Sequence, residues 1–253
     1  MLKTRVIPTL LFKGLGLVKG MGFDSWRRVG GVHQSIKVYN MREVDELVFV
    51  DITATVEGRS PDFISIDEYA DDCFMPFAVG GGIKSAEDVR KLLKVGADKV
   101  VLNTAAFESP ALIGEIARRF GSQCLILSID AKKQPSGGYE VYTHSGTKAT
   151  SADPATIARR AEDLGAGEIL ITSIERDGTM RGYDLDLIKS VTSAVSIPVI
   201  ASGGAGKFED FSDAVLIGNA SAVAAAALFH YTEMTPLEVK KHMKQRGINV
   251  RLQ

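Results

Sequence analysis

The chain has 253 residues, 45% of them hydrophobic and 24% charged, and its 30 basic and 31 acidic side chains leave a net charge of -1. This is the composition of a globular protein with a sizeable core. The near-neutral balance excludes nucleic acid or an anionic membrane as a partner held by bulk charge. Two cysteines, Cys73 and Cys124, make neither a disulfide framework nor a CxxC zinc motif. Scattered histidines give no metal-ligand spacing, so no metal and no cofactor is expected. With no leader-like start and no apolar run long enough to span a bilayer, a cytoplasmic protein is expected.

In chain order, strand-like apolar runs at 6–11, 47–52, 77–79, 99–102, 124–129, 168–172, 199–201 and 213–217 alternate with helix-like stretches. The helical stretches are 85–95, 110–120, 153–164, 186–192 and 208–211, and the alanine-rich run 220–229 reads as a buried helix. Ser85 followed by Asp88 predicts a capping box, and Asp153-Pro154 a cap with proline at the first helical position. Short, continuously apolar strands suit a parallel sheet covered on its outer face. Eight of them in this length predict an α/β (β/α)8 TIM barrel. Glu46-Leu47-Val48-Phe49-Val50 returns as Glu168-Ile169-Leu170-Ile171-Thr172, and the glycine run Gly80-Gly81-Gly82 as Gly203-Gly204 with its neighbours. An internal half-barrel repeat follows, with halves of about 1–121 and 122–253 inside one domain of residues 1–253.

The two glycine clusters fall after strands three and seven, at the barrel end where active sites form. Gly82 with Asn103 and Thr104 on one side, and Gly203 and Gly204 with Ala226 and Ala227 on the other, read as two phosphate pockets. Tight turns in a crowded barrel are the competing account. Lys13 and Lys19, in a long first loop, would add positive charge there. Asp130 ends the apolar strand LILSID at the same face, where a partly desolvated carboxylate suits acid/base work; a carboxylate capping the following loop is the other account. Asp51 and Asp177 are weaker candidates, and with Lys19 and Thr172 they are possible substrate contacts; Asp51 would otherwise brace Thr172 or Lys19, and Asp177 would otherwise hold the loop 178–182. Arg5, Glu46, Lys99 and Glu168 each stand just before an apolar strand, at the opposite end. They read as a ring closing the barrel bottom or as ordinary surface pairs.

The stretches DELVFVDIT, FAVGGGIKSAEDVRKLLKVGADKVVLNTAA, GGYEVYTHSG, GAGEILITSIERDGT, SIPVIASGGAGKFEDF and GINVRLQ together resemble the cyclase subunit of imidazole glycerol phosphate synthase. The resemblance covers essentially the whole chain. It implies a half-repeated barrel that docks a glutaminase on its N-terminal face and passes ammonia through the barrel to a phosphorylated substrate. It implies further that Arg5, Glu46, Lys99 and Glu168 are the ammonia gate, that the two glycine clusters bind phosphate, and that Asp130 is one of two catalytic aspartates. The position of the other holds Leu11, which transfers no proton. Among bacterial relatives, such a departure implies a synthase subunit that amidates a nucleotide-linked sugar, forming an acetamidino sugar in surface-polysaccharide synthesis. The histidine-pathway cyclase, and a noncatalytic scaffold that activates a glutaminase, are the alternatives.

Overall fold

Residues 3–252 are described by the structure, a computed structural model. Their strands are β1 (Arg5–Lys13), β2 (Gly16–Met21), β3 (Asp24–Gly30), β4 (Leu47–Asp51), β5 (Phe77–Gly80), β6 (Lys99–Leu102), β7 (Leu125–Lys133), β8 (Tyr139–Thr143), β9 (Lys148–Ala149), β10 (Glu168–Ser173), β11 (Val199–Ser202) and β12 (Ala222–Ala225). Eight of these pair in parallel in the order β10, β11, β12, β1, β4, β5, β6, β7, and β7 pairs back onto β10, which closes the barrel. β1 is thus four strands from β7 in either direction.

Period-two side-chain alternation explains why these strands read as unbroken apolar runs. Ile7, Val48, Ala78, Val101, Ile126, Leu170, Ile200, Ala222 and Ala224 fill the barrel interior as one cluster. Their neighbours in sequence, such as Val6, Phe49, Val79, Leu127, Ile169 and Val223, join the larger cluster beneath the helices. Helix starts follow local chemistry. Ser85 and Asp88 form a reciprocal capping box on Ala86–Lys94, and Asp153 accepts from the Thr156 amide ahead of Pro154–Asp163.

The eighth strand departs from expectation. Residues 213–217 belong to the helix Phe208–Leu216 and the residue that ends it, and the closing strand is β12. Only the second part of the run expected as a buried helix is helical, as Ala227–Tyr231. Alanine favours helix locally, but β1 and β11 offer two open parallel edges that β12 must satisfy. The first loop also differs: β2 and β3 form an antiparallel hairpin on β1. β7 carries a corresponding antiparallel extension, β8 and β9.

Candidate functional site

The C-terminal ends of the strands open into a cavity of about 1200 Å³, counted with its solvent-filled mouth. Its wall includes Leu11, Lys19, Asp51, Gly82, Asn103, Thr104, Asp130, Thr172, Asp177, Gly203, Gly204, Ala226 and Ala227. Residues spread over most of the sequence therefore share one space, because most sit at or just past a barrel-strand end and Lys19 reaches it from β2.

Asp130 projects from β7. The Asn103 side-chain amide donates to its Oδ2 at 3.0 Å and to the Ser128 carbonyl at 3.2 Å. Burial, reinforced by the nearby negative charge of Asp177, lifts the Asp130 carboxyl to about 7, while hydrogen bonds from Thr172, Ser128 and Asn103 pull the other way. Such a group changes protonation near neutral pH, as a proton-transfer group must. Leu11 lines the same cavity from β1, beside Val50 of β4 and Val18 of β2.

Lys19 sits on β2, only 2% exposed. Its Nζ lies 4.0 Å from Asp177 Oδ1. Burial lowers its proton affinity and Asp177 opposes that shift. The remaining Asp177 oxygen, Oδ2, is buried without a hydrogen-bond partner. His230 is pushed down to about 4 by burial and then by the charge of Lys19, so it is neutral at pH 7.

Asp51 does not brace Thr172 or Lys19. Its Oδ1 accepts from the Thr53 and Ala54 amides and the Thr53 hydroxyl, and Arg59 donates to its Oδ2 at 3.0 Å. These local donors are nearer along the chain than either expected partner, and they tie the loop after β4 into a turn.

The glycine loops need their glycines. Gly82 and Gly204 have φ of 73° and 112°, and a Cβ would stand 2.7 Å from the Arg59 carbonyl in the first and 2.3 Å from the Gly182 carbonyl in the second. Beside them, Asn103 and Ala226 precede the short helices Thr104–Glu108 and Ala227–Tyr231, whose first amides have no helical acceptor. The Thr104 hydroxyl is engaged: it accepts from the His144 amide at 3.0 Å and contacts Asn103 Oδ1 at 3.3 Å. The Gly82 amide is engaged as well, donating to the Thr55 hydroxyl at 3.3 Å.

Sequence reasoning missed Phe23, Trp26 and Ser145, which line the cavity from the two hairpins. GFDSWRR placed an aromatic pair among charges, a legible signal whose meaning depended on the hairpin that turns it inward. Among the described residues, no group of three or more His, Cys, Asp or Glu side chains is arranged to hold a metal ion.

At the opposite end, Arg5, Glu46, Lys99 and Glu168 form a closed set of ion pairs. Arg5 bonds both carboxylates, and Lys99 reaches Glu46 at 2.9 Å and Glu168 at 2.6 Å. Burial alone would raise the Glu168 carboxyl, but the hydrogen bond and charge of Arg5, with Lys99, hold it below its usual range. The two carboxylates are buried and the two cations half-buried, all reciprocally paired, unlike ordinary surface ion pairs.

The family model described as histidine biosynthesis protein matches residues 5–235, a span that contains every barrel strand and both ends of the barrel. The chain belongs to the histidine biosynthesis protein family. With its closed eight-stranded barrel, this member of the family is an enzyme-type subunit of the imidazole glycerol phosphate synthase cyclase kind. Among the described residues, no helix is long and apolar enough to cross a membrane.

Proposed function

We propose that the protein is the ammonia-using synthase subunit of a glutamine amidotransferase pair, acting on a nucleotide-linked acetamido sugar of surface-polysaccharide synthesis. The observation that carries this reading is the contrast between two opposite cavity walls: Leu11 on β1 is inert, and Asp130 on β7 is a carboxyl poised near neutrality. A cyclisation that needs acid/base help at more than one position loses one of its groups at Leu11. Replacement of an amide oxygen by an imino group can be served by one shuttling group: ammonia adds to the acetamido carbonyl carbon, and the oxygen departs as water with two protons that come from the added nitrogen, Asp130 giving one up and taking one back.

The apolar interior between the charged ring and Asp130 suits neutral ammonia and rejects ammonium, which is costly to desolvate. The glutaminase that would supply the ammonia docks, in this reading, around that ring. Met41, Phe74 and Ile217 are exposed by 77%, 84% and 51%, and all three lie in segments that lead into the N-terminal ends of barrel strands.

The test is ammonium-driven turnover of two substrates by the purified protein. An acetamidino sugar formed from the nucleotide-linked acetamido sugar, with no imidazole product from ribulosyl aminoimidazole carboxamide nucleotide, is the expected result. Ordinary turnover of the latter returns the protein to histidine synthesis. Activation of a glutaminase with neither product formed leaves it a scaffold.

A further inference from the structure

We propose that Trp26 is a stacking platform for the base of a nucleoside diphosphate, which fixes the nucleotide end of the substrate at the hairpin side of the cavity. The inference rests on the reading of the acceptor as nucleotide-linked and adds the residue that recognises the nucleotide. Trp26 is the chain's only tryptophan. It stands on β3, half-buried, and lines the cavity.

Two contacts orient the indole. A Cβ on Gly20 of β2 would come within 2.9 Å of its ring, so the absence of a side chain at Gly20 lets the indole lie close on the hairpin. The Lys13 ammonium stands 5.9 Å from the ring centroid, within cation–π range. Lys13 is long and exposed, so it can yield its place over the ring to a base and pair with the phosphates that the base carries. Phe23 does not share this role. A Cβ on Gly146 would meet its ring at 2.8 Å and the Ile174 side chain at 3.4 Å, so Phe23 packs across the mouth against the second hairpin.

A planar ring lining a cavity whose wall also carries the Gly203-Gly204 turn matches a ligand with a flat π-system at one end and phosphates further along. A sugar phosphate or inorganic pyrophosphate uses only the second feature. Stacking accepts any base face, so both uridine and adenosine diphosphates are expected to bind, with preference set elsewhere.

The single tryptophan makes the test direct. Uridine diphosphate and adenosine diphosphate should quench Trp26 emission saturably, whereas ribose 5-phosphate and pyrophosphate should bind without that change. By calorimetry, Trp26→Ala should weaken uridine diphosphate about tenfold and leave pyrophosphate unaltered, and Trp26→Phe should restore most of the loss. Equal quenching by pyrophosphate, equal weakening of both ligands in Trp26→Ala, or nucleotide binding that Trp26→Ala does not alter would overturn the proposal. Nucleotide quenching without sugar turnover removes the proposed reaction and retains the stack. Sugar turnover with an unchanged KM in Trp26→Ala does the reverse.

Discussion

At the scale of single residues, the site turns on two carboxylates placed in unlike surroundings. Asp51 accepts from the Thr53 and Ala54 amides and from Arg59, which ties it to the loop after β4. Asp130 is pushed up to about 7 by burial and by Asp177. A carboxyl raised in this way favours the folded state while it is protonated, and that contribution fades as pH rises through about 7. Asp130→Asn removes the titration. Relative to the parent, the variant should gain stability between pH 5 and pH 8, by up to about 3 kcal/mol, while losing ammonia-dependent turnover. Denaturant unfolding at the two pH values measures the first effect. A pH-independent stability difference would show that Asp130 titrates in its ordinary range. Leu11→Asp should not rescue imidazole formation, because a second carboxylate across the mouth raises the proton affinity of one of the pair and disturbs Asp130; an imidazole product from that variant would reject the proposed division of roles.

At the scale of elements, loops and strand ends carry separate burdens. The turn after β11 holds Gly204 at a positive φ with the Gly182 carbonyl where a Cβ would be. Any side chain there forces the loop to move. Gly204→Ala is therefore expected to weaken binding of a phosphorylated ligand about as much as Gly204→Asp does, through geometry more than charge. Calorimetry with both variants decides between them, and normal affinity in Gly204→Ala would show that the loop yields. The N-terminal ring behaves differently because its strands are clasped by charge. Glu46 is 1% exposed, and its Oε1 already lacks a hydrogen-bond partner. Arg5→Ala would leave Glu46 and Glu168 with Lys99 alone, at a cost of about 3–5 kcal/mol. The depressed Glu168 contributes stability above its unfolded pKa, and that stability is lost as pH falls through the folded value. The deficit of the variant should therefore be largest at neutral pH and shrink only as pH falls below the ordinary glutamate value of 4.5, as thermal melts at neutral pH and through that acid range would reveal.

At the scale of the whole molecule, the barrel separates two chemistries by its length. One end presents a charged ring amid exposed apolar side chains, and the other presents a cavity with a poised carboxyl. Phe74 is held on the outside of the ring end, where its amide donates to the Asn40 side chain at 3.1 Å. If a glutaminase docks here, Phe74→Glu should leave turnover with added ammonium unchanged and depress turnover driven by glutamine, at least tenfold if Phe74 is an interface hot spot. Equal glutamine-driven rates in the parent and the variant would move the interface elsewhere.

The sequence alone determined seven of the eight barrel strands, the glycine positions and the strand-end charges, because period-two apolar runs and capping residues are encoded within a few residues of where they act. Ser85, Asp130 and Arg5 could each be assigned an element and an end from their neighbours. Tertiary structure decided what depended on closure. Ala222–Ala225 is a strand because β1 and β11 leave edges for it, although its composition favours a helix. Lys19 is buried because the first loop folds as a hairpin over Asp177, and Trp26 reaches the cavity through that same hairpin. Asp51 turned to Arg59, eight residues on, through the turn that follows β4. Hydrogen bonds and burial depend on distances between segments far apart in the chain, and only the closed barrel sets those distances.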